Sequence, residues 1–331
     1  MRMRRLGNTD LHLTTIGLGT WAIGGPWDFG WGPQSDADSI ATIRRSLDMG
    51  INWIDTAPAY GLGHAEEIIG QAIQGRRDSV IVATKCGLAW DDPATRRVLP
   101  RLTADSVKRE AEASLKRLGV GTIDLYQIHW PNPESEIEEA WRAIDDLICN
   151  GKIRYAGVSN FSVAQMERLR AIRPIASLQP PLNLLDRGVE REILPYCTQR
   201  GIGVVAYGPL AYGLLTGKFT RESVADLPPD DWRRKGGRFQ EPELSANLEF
   251  VAKLSSIAER HSRPLAHVAI AWVLHRSGVT AAIVGARRPE QIEQTAGAAD
   301  WDIPQEDLQA INNLLADRAR TLGSYRPKSP V

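Results

Sequence analysis

An eightfold parallel (β/α) barrel, or TIM barrel, with an N-terminal hairpin and one long loop after its seventh strand, is the fold class this sequence predicts. Short β-branched runs of strand length recur down the chain, and amphipathic helical patterns lie between them. The runs are apolar almost throughout, as strands are when both faces of a sheet are covered. Strand and helix alternate eight times. A doubly wound open sheet alternates in the same way, but eight units in ~250 residues with additions at the ends fit the barrel better.

The elements follow in order. The "LHL" and "TTIG" segments predict a small hairpin that plugs the barrel bottom, and "TTIGLG" (14–19) leads into the first barrel strand. Further strands are expected at "INWIDTA" (51–57), "SVIVATK" (79–85), "IDLYQIH" (123–129), "IRYAGVSN" (153–160), "IASLQP" (175–180), "GVVAYG" (203–208) and "AAIVGA" (281–286). Helical patterns such as "SDADSIATIRRSLDMG", "TADSVKREAEASLKRLG", "ESEIEEAWRAIDDLICNG" and "GVEREILPYCTQRG" separate them, and a closing glycine suits a helix C-terminus. Ser162 and Gln165 have the spacing of a capping box. Residues 217–245, polar and rich in Pro, Gly and Arg, exceed an ordinary connection and read as a functional lid. A final helix, "PQEDLQAINNLLADRAR", and a loose tail follow, and residues 1–331 read as a single domain.

Composition narrows the function. With 331 residues and 43% apolar content the chain can bury a large core. Lys plus Arg and Asp plus Glu both number 40, so no net field favours nucleic acid or an anionic membrane surface. Three widely spaced cysteines make no disulfide framework and point to a reducing compartment. The basic start "MRMRRLGNTD" lacks an apolar segment behind it, and no run of eighteen apolar residues occurs. A cytoplasmic protein is expected, with no membrane or nucleic-acid partner. No feature assigns an oligomeric state.

In a barrel of this kind, active-site residues lie at the carboxyl ends of the strands. Asp55 closes the second strand with Tyr60 in the loop behind it, Lys85 closes the third, His129 the fourth, and Ser159 and Asn160 the fifth. Each alone has a bland reading: Asp55 as a turn former, Tyr60 as core, Lys85 as a solvated strand end, His129 as a satisfied histidine. Together on one rim they suit proton transfer. A phenol, with a reference pKa near ~10, is a sluggish acid at neutral pH. A Lys ammonium at ~4 Å in an effective dielectric of ~20 is worth about 4 kcal/mol, on the order of three pKa units before desolvation subtracts from it. The expectation is therefore a Tyr60 made more acidic by Lys85, with Asp55 keeping the lysine charged. His129 would hydrogen-bond an oxygen that gains negative charge, which describes a carbonyl or alcohol site with no metal.

On these motifs the chain resembles the aldo-keto reductase family: "GLGTW" (17–21), "IDTAPAYG" (54–61), "VATK" (82–85), "IDLYQIHWP" (123–131), "GKIRYAGVSNFS" (151–162) and "AYGPLAYGLLTGKF" (206–219). The loop containing "PPDDWRRKGGRF" resembles the bacterial branch related to potassium-channel β subunits and vegetative stress-protein-like reductases. The resemblance implies that Asp55, Tyr60, Lys85 and His129 are the catalytic tetrad, with Tyr60 the general acid/base. It implies a nicotinamide held among Thr20, Trp21 and Asp55, bonded by Ser159, Asn160 and Gln179, and stacked on Tyr207. Tyr207 on its own reads equally as a core aromatic at a strand end.

No Rossmann glycine fingerprint is present. The resemblance instead puts the diphosphate at Gly208, Pro209, Leu210, Ala211, Tyr212 and Lys218, and the adenosine end at Gly285, Arg287, Gln291, Gln294 and Thr295. Arg287 suits a 2′-phosphate through its planar fork of donors, so NADPH/NADP is expected over NAD. Gln294 and Thr295 stand where the family usually has Glu and Asn, and Leu182 where it commonly has Tyr.

Trp21, Tyr60, Trp90, His129 and Trp130 are expected around a small carbonyl or sugar substrate, with Trp27 and Trp31 as further candidates in their loop. The lid residues Arg233, Arg234 and Arg238 could cover cofactor phosphate, attract an acidic substrate, or do neither. The expected activity is NADP(H)-dependent reduction of aldehydes and ketones, or the reverse on sugars. Two alternatives stand beside it: a nicotinamide-binding redox-sensing subunit with little turnover, and a metal-dependent barrel hydrolase or lyase. The second would need a ligand cluster at the strand ends, where only His129 among six histidines is expected.

Overall fold

A computed structural model describes residues 1–228 and 231–324. Its centre is a closed barrel of eight parallel strands. These are β1 (Ile16–Gly19), β2 (Trp53–Asp55), β3 (Ile81–Cys86), β4 (Ile123–Ile128), β5 (Ile153–Ser159), β6 (Ser177–Gln179), β7 (Gly203–Tyr207) and β8 (Val279–Gly285). Each pairs with the next in sequence, and β8 returns to β1, with Ile283 opposite Gly17 and Gly285 opposite Gly19. All eight strand expectations hold, with ends shifted by a few residues; most are trimmed, while β8 starts earlier, at Val279, and β3 runs on to Cys86.

The surrounding helices are α1 (Asp36–Asp48), α2 (His64–Ala72), α3 (Ala104–Leu118), α4 (Ile137–Cys149), α5 (Val163–Arg170), α6 (Ile193–Arg200), α7 (Glu243–Arg260), α8 (Leu265–Leu274), α9 (Pro289–Ala296) and α10 (Gln305–Ser324). Local chemistry sets their ends. Ser35 accepts from the Asp38 amide to start α1, while Asp36 and Asp38 lie favourably at the positive end of its dipole. Ser162 and Gln165 do form the capping box of α5. Gly119 and Gly201 close α3 and α6 at φ 65°, a left-handed conformation that a side chain would disfavour.

Apolar packing occupies two layers. Between sheet and helices lie the fully buried Trp141 and Trp272 with Ile43, Ile69, Leu118 and Ile144. Inside the barrel, Leu6, Leu11 and Leu13 pack with Trp53, Leu125, Val205 and Ala281. The Trp53 indole fills the space beside Gly17, where an added Cβ would lie 2.0 Å from the ring, and its N–H donates to Thr14 O.

The plug at the bottom is a hairpin, but its strands differ from the expectation. Met3–Arg5 pairs antiparallel with His12–Thr14, and "TTIG" passes directly into β1. The first hairpin strand is short, charged and largely exposed, so no apolar alternation announces it. The long loop after β7 folds as a six-residue 3-10 segment (Ala211–Thr216), a five-residue helical turn (Arg221–Ala225) and two further 3-10 turns, Trp232–Lys235 and Gly237–Phe239. No described helix is long and apolar enough to cross a membrane.

Candidate active site

Parallel strands deliver their last residues to one rim. Asp55 ends β2, Lys85 is the penultimate residue of β3, His129 follows β4, and Ser159, Gln179 and Tyr207 end β5, β6 and β7. Tyr60 arrives on the β2–α2 loop, folded back by hydrogen bonds from its own amide to Ala57 O and from the Ala65 amide to Tyr60 O. That loop presses on the one after β1 so closely that a Cβ on Gly61, at φ +65°, would lie 1.8 Å from Gly24 O. Glycine is required there for contact and conformation alike.

At the centre Lys85 Nζ donates to Asp55 Oδ2 at 2.8 Å, to Thr56 O at 2.8 Å and to the Tyr60 hydroxyl at 3.3 Å. The lysine is fully buried and Asp55 almost so. Burial lowers the Lys85 pKa, opposed by the Asp55 carboxylate. The Tyr60 phenol is pushed well above its ordinary 10.0 by burial and by the Asp55 charge. This differs in sign from the sequence expectation: removing phenolate from water costs more than the neighbouring ammonium returns. His129 lies edge-on to Tyr60 with ring centroids 5.9 Å apart, and burial together with Lys85 holds it well below 6.5. At neutral pH the site therefore presents a protonated phenol and a neutral imidazole to the same space.

A second hydrogen-bonded chain adjoins the first. Gln179 Nε2 donates to Asp55 Oδ1 at 2.7 Å, Ser159 Oγ to Gln179 O at 2.8 Å, and Asn160 Nδ2 to Ser159 Oγ at 3.0 Å and His129 O at 3.1 Å. Tyr207 Oη closes the chain by donating to Asn160 Oδ1 at 2.9 Å. Asn160 holds a left-handed φ of 64°, a cost that such sites carry when position matters. The Thr20 amide and hydroxyl both donate to Asp55 O, joining β1 to the pair.

Beyond β7, positive φ values recur at Gly208, Ala211, Tyr212 and Gly213. The run turns the backbone tightly at the rim, and within it the Ala211 and Gly213 amides donate to Gly208 O and Leu210 O. Lys218 is exposed at the end of this segment. At the end of β8, Gln291 Oε1 accepts from the amides of Arg287 and Arg288. The Arg287 guanidinium reaches across to the loop after β1, donating to Gln34 Oε1 at 2.7 Å, to Trp31 O at 3.1 Å and to Pro33 O. Gly285 and Gln294 are exposed, while the buried Thr295 hydroxyl donates to Gln291 O within its own helix.

The structure gathers some predicted aromatics and separates others. Trp21 stacks on Tyr60 at 6.5 Å, and Trp27 tilts against it at 6.0 Å. Trp90 instead lies under Arg117, 5.8 Å from its guanidinium carbon, and Trp130 projects with 44% of its surface exposed. Trp232, which the sequence did not mark, comes from the long loop to stack on Trp21 at 5.4 Å and meet Tyr212 edge-on at 4.7 Å. A tryptophan in a polar, glycine-rich segment that otherwise carries only Phe219 and Phe239 as aromatics was its only signal. The loop arginines hold the loop itself: Arg233 pairs with Asp231 and Arg238 with Asp186, each at 2.6 Å, and Arg234 donates to Leu227 O.

A parallel barrel with these groups on its rim is the architecture of barrel oxidoreductases. Over residues 15–316 the chain matches the aldo/keto reductase family, and it belongs to that family. It is 43% identical to "Aldo-keto reductase YhdN" of Bacillus subtilis (strain 168) over 318 residues, covering 95% of this chain and 94% of that protein. It is 34% identical to the "NADH-specific methylglyoxal reductase" of Escherichia coli (strain K12), covering 95% and 98% of the two. Among solved structures, the glycerol dehydrogenase AKR11B4 from Gluconobacter oxydans superposes with a TM-score of 0.88 at 40% identity, covering 99% of this chain and 98% of that one.

Proposed function

We propose that this oxidoreductase reduces small aldehydes and ketones, or oxidises the corresponding alcohols, using NADP(H), with Tyr60 as the general acid/base. The single observation that carries the reading is the buried contact among Lys85, Asp55 and Tyr60 opposite a neutral His129. Nicotinamide supplies or receives the hydride. Everything else falls to the chain. His129 donates a hydrogen bond to the carbonyl oxygen and fixes its position beside the phenol. As charge develops on that oxygen, the Tyr60 proton moves to it, and the adjacent ammonium of Lys85 stabilises the phenolate left behind. The raised pKa suits this direction, since the phenol stays protonated until an alkoxide, a stronger base, forms next to it.

The side-chain chain Ser159–Asn160–Gln179–Tyr207 suits a flat carboxamide ring, and the tight left-handed turn from Gly208 to Tyr212, where the resemblance puts the diphosphate, lies next to it on the same rim. Preference for NADP(H) rests on Arg287 and Arg288 at the end of β8, where a 2′-phosphate would meet two cations. The Escherichia coli relative carries an NADH-specific name, so direct comparison of the two cofactors is the deciding assay. The relatives' names, a methylglyoxal reductase and a glycerol dehydrogenase, support a short oxygen-bearing substrate. Three free cysteines, two of them buried, support a reducing cytoplasm.

The test is consumption of NADPH and NADH against a panel of aldehydes, dicarbonyls and sugars, with Tyr60→Phe beside the parent. Loss of turnover on the order of 10²-fold or more in the variant, with cofactor affinity retained, is the expected result. Equal turnover in both proteins refutes Tyr60 as the acid. Cofactor binding without turnover in either would favour a redox-sensing subunit.

A further inference from the structure

The end of the barrel away from the catalytic rim holds a cavity of about 340 Å³, lined by the first hairpin strand, by the turn from α8 into β8 and by the segment before α10. Its charge is uneven. Arg2, Arg4, His275 and Arg276 line it, and Asp302 is the one carboxylate among its lining residues. Asp302 is already taken, its two oxygens accepting from Arg2 at 2.6 and 2.8 Å. Arg2 and Asp302 cancel, which leaves Arg4 and Arg276.

Arg4 Nη1 donates to Leu274 O at 3.0 Å and to Val279 O at 2.7 Å, tying the two ends of the turn together. A cation suits the last carbonyls of a helix, but this contact engages one nitrogen alone. Arg4 Nε and Nη2 meet no acceptor among the described residues. Arg276 lies 4.5 Å from the Trp272 ring centre, with 19% of its side chain exposed. Its one carboxylate neighbour, Glu190 at 3.8 Å, is held by Arg187 at 2.6 Å. Burial lowers the pKa of both guanidiniums, yet an arginine stays charged at neutral pH. Two partly buried cations without a counter-charge of their own, on the wall of one cavity, are costly to keep.

We propose that this cavity binds a small phosphate monoester, held by Arg4 and Arg276 with His275 beside it. The site lies at the opposite end of the barrel from Tyr60 and does not depend on the reductase reading. Two unpaired guanidiniums match the nearly double charge of a phosphate ester better than the single charge of a carboxylate, and their forks of donors fit its oxygens. The volume falls at the small end of the range for organic ligands, roughly 300–1,000 Å³, so it has room for a short carbon chain beside the phosphate. Leu274 and Trp301 give that chain an apolar wall.

The experiment titrates glycerol 3-phosphate, inorganic phosphate and glycerol into the NADPH-saturated protein at constant ionic strength, followed by heat of binding and by the histidine ring resonances. Glycerol 3-phosphate is expected to bind once per chain and to shift the His275 signals while leaving those of His129 in place. Inorganic phosphate should shift the same signals more weakly, and glycerol should not shift them. Arg4→Gln and Arg276→Gln should each weaken the ester by about ten-fold or more, with carbonyl turnover within about two-fold of the parent. Arg287→Ala should leave the ester's affinity unchanged. Absence of saturable binding, or binding that survives both Gln variants, overturns the proposal. So does a shift at His129 in place of His275, or loss of binding in Arg287→Ala, either of which would move the phosphate to the catalytic rim. Equal affinity for ester and inorganic phosphate would assign the cavity to the free ion and overturn the ester. Should either Gln variant misfold, the His275 signals of the parent decide the matter by themselves.

Discussion

Replacing Asp55 with Asn tests the electrostatics at the centre of the rim. The carboxylate lies 2.8 Å from Lys85 Nζ, with the two side chains 4% and 0% exposed. At that distance and an effective dielectric of ~20, the attraction is about 6 kcal/mol, an upper bound because both ions have left water. Asn retains an acceptor for Gln179 but leaves a buried ammonium bonded only to neutral oxygens. Removing one partner of such a pair costs about 3–5 kcal/mol. Lys85 already has a lowered pKa, and losing the carboxylate that raises it lowers it further. The unfolded chain then holds a proton that the folded one lacks, so stability of the variant rises with pH up to the ordinary lysine value of 10.5. Urea unfolding followed by tryptophan fluorescence should show the deficit at pH ~7 and its narrowing by up to about 1.4 kcal/mol per pH unit on the alkaline side. The apolar double variant Asp55→Leu with Lys85→Met should recover much of the loss. An unchanged midpoint in Asp55→Asn, or a deficit independent of pH, refutes this account.

Four further outcomes are expected. Burial holds His129 below 6.5 and Tyr60 above 10.0, so kcat/KM for carbonyl reduction should be flat from about pH 7 to about 9; an inflection inside that range would assign the chemistry to another group. Arg287→Ala should weaken NADPH by at least about ten-fold more than NADH in fluorescence titration, and equal losses would remove the 2′-phosphate role. Gly61→Ala should cost at least about 1–3 kcal/mol and lower turnover, because the added methyl meets Gly24 O and the loop holding Tyr60 must move; wild-type melting and activity would contradict that. Burial raises Glu110 to about 7, and its carboxyl accepts from the Gly87 amide and Ser106 hydroxyl. A folded pKa above the unfolded 4.5 means stability falls as pH rises from 4.5 through 7, so Glu110→Gln should flatten that slope, a difference on the order of 3 kcal/mol in denaturation at pH ~8.

The barrel and its rim were legible because they follow local periodicity. Apolar runs marked the strands, and one polar residue ending each run marked Asp55, Lys85, His129 and Ser159. Met3–Arg5 escaped because a charged three-residue strand has no pattern of its own. The bonds of Arg287 to Trp31, Pro33 and Gln34 were not foreseen because those partners lie more than 250 positions away in sequence, beyond any local rule. Trp232 was missed for the same reason: its neighbours Trp21 and Trp31 come from the loop after β1, far away in sequence. The sign of the Tyr60 shift depended on burial depth, which spacing does not encode.

The long loop that brings Trp232 to the rim divides labour within the molecule. Lys85 and Asp55 are fixed by paired strands, Lys85 opposite Gln127 and Asp55 opposite Ala83 in the barrel ladder. The aromatic facing comes from two surface excursions, one after β1 and one after β7, neither of which contributes to that ladder. Exchange of the excursion after β7 would therefore reshape the aromatic facing while the Lys85–Asp55 pair stays held by the ladder, a separation that makes this architecture readily evolvable.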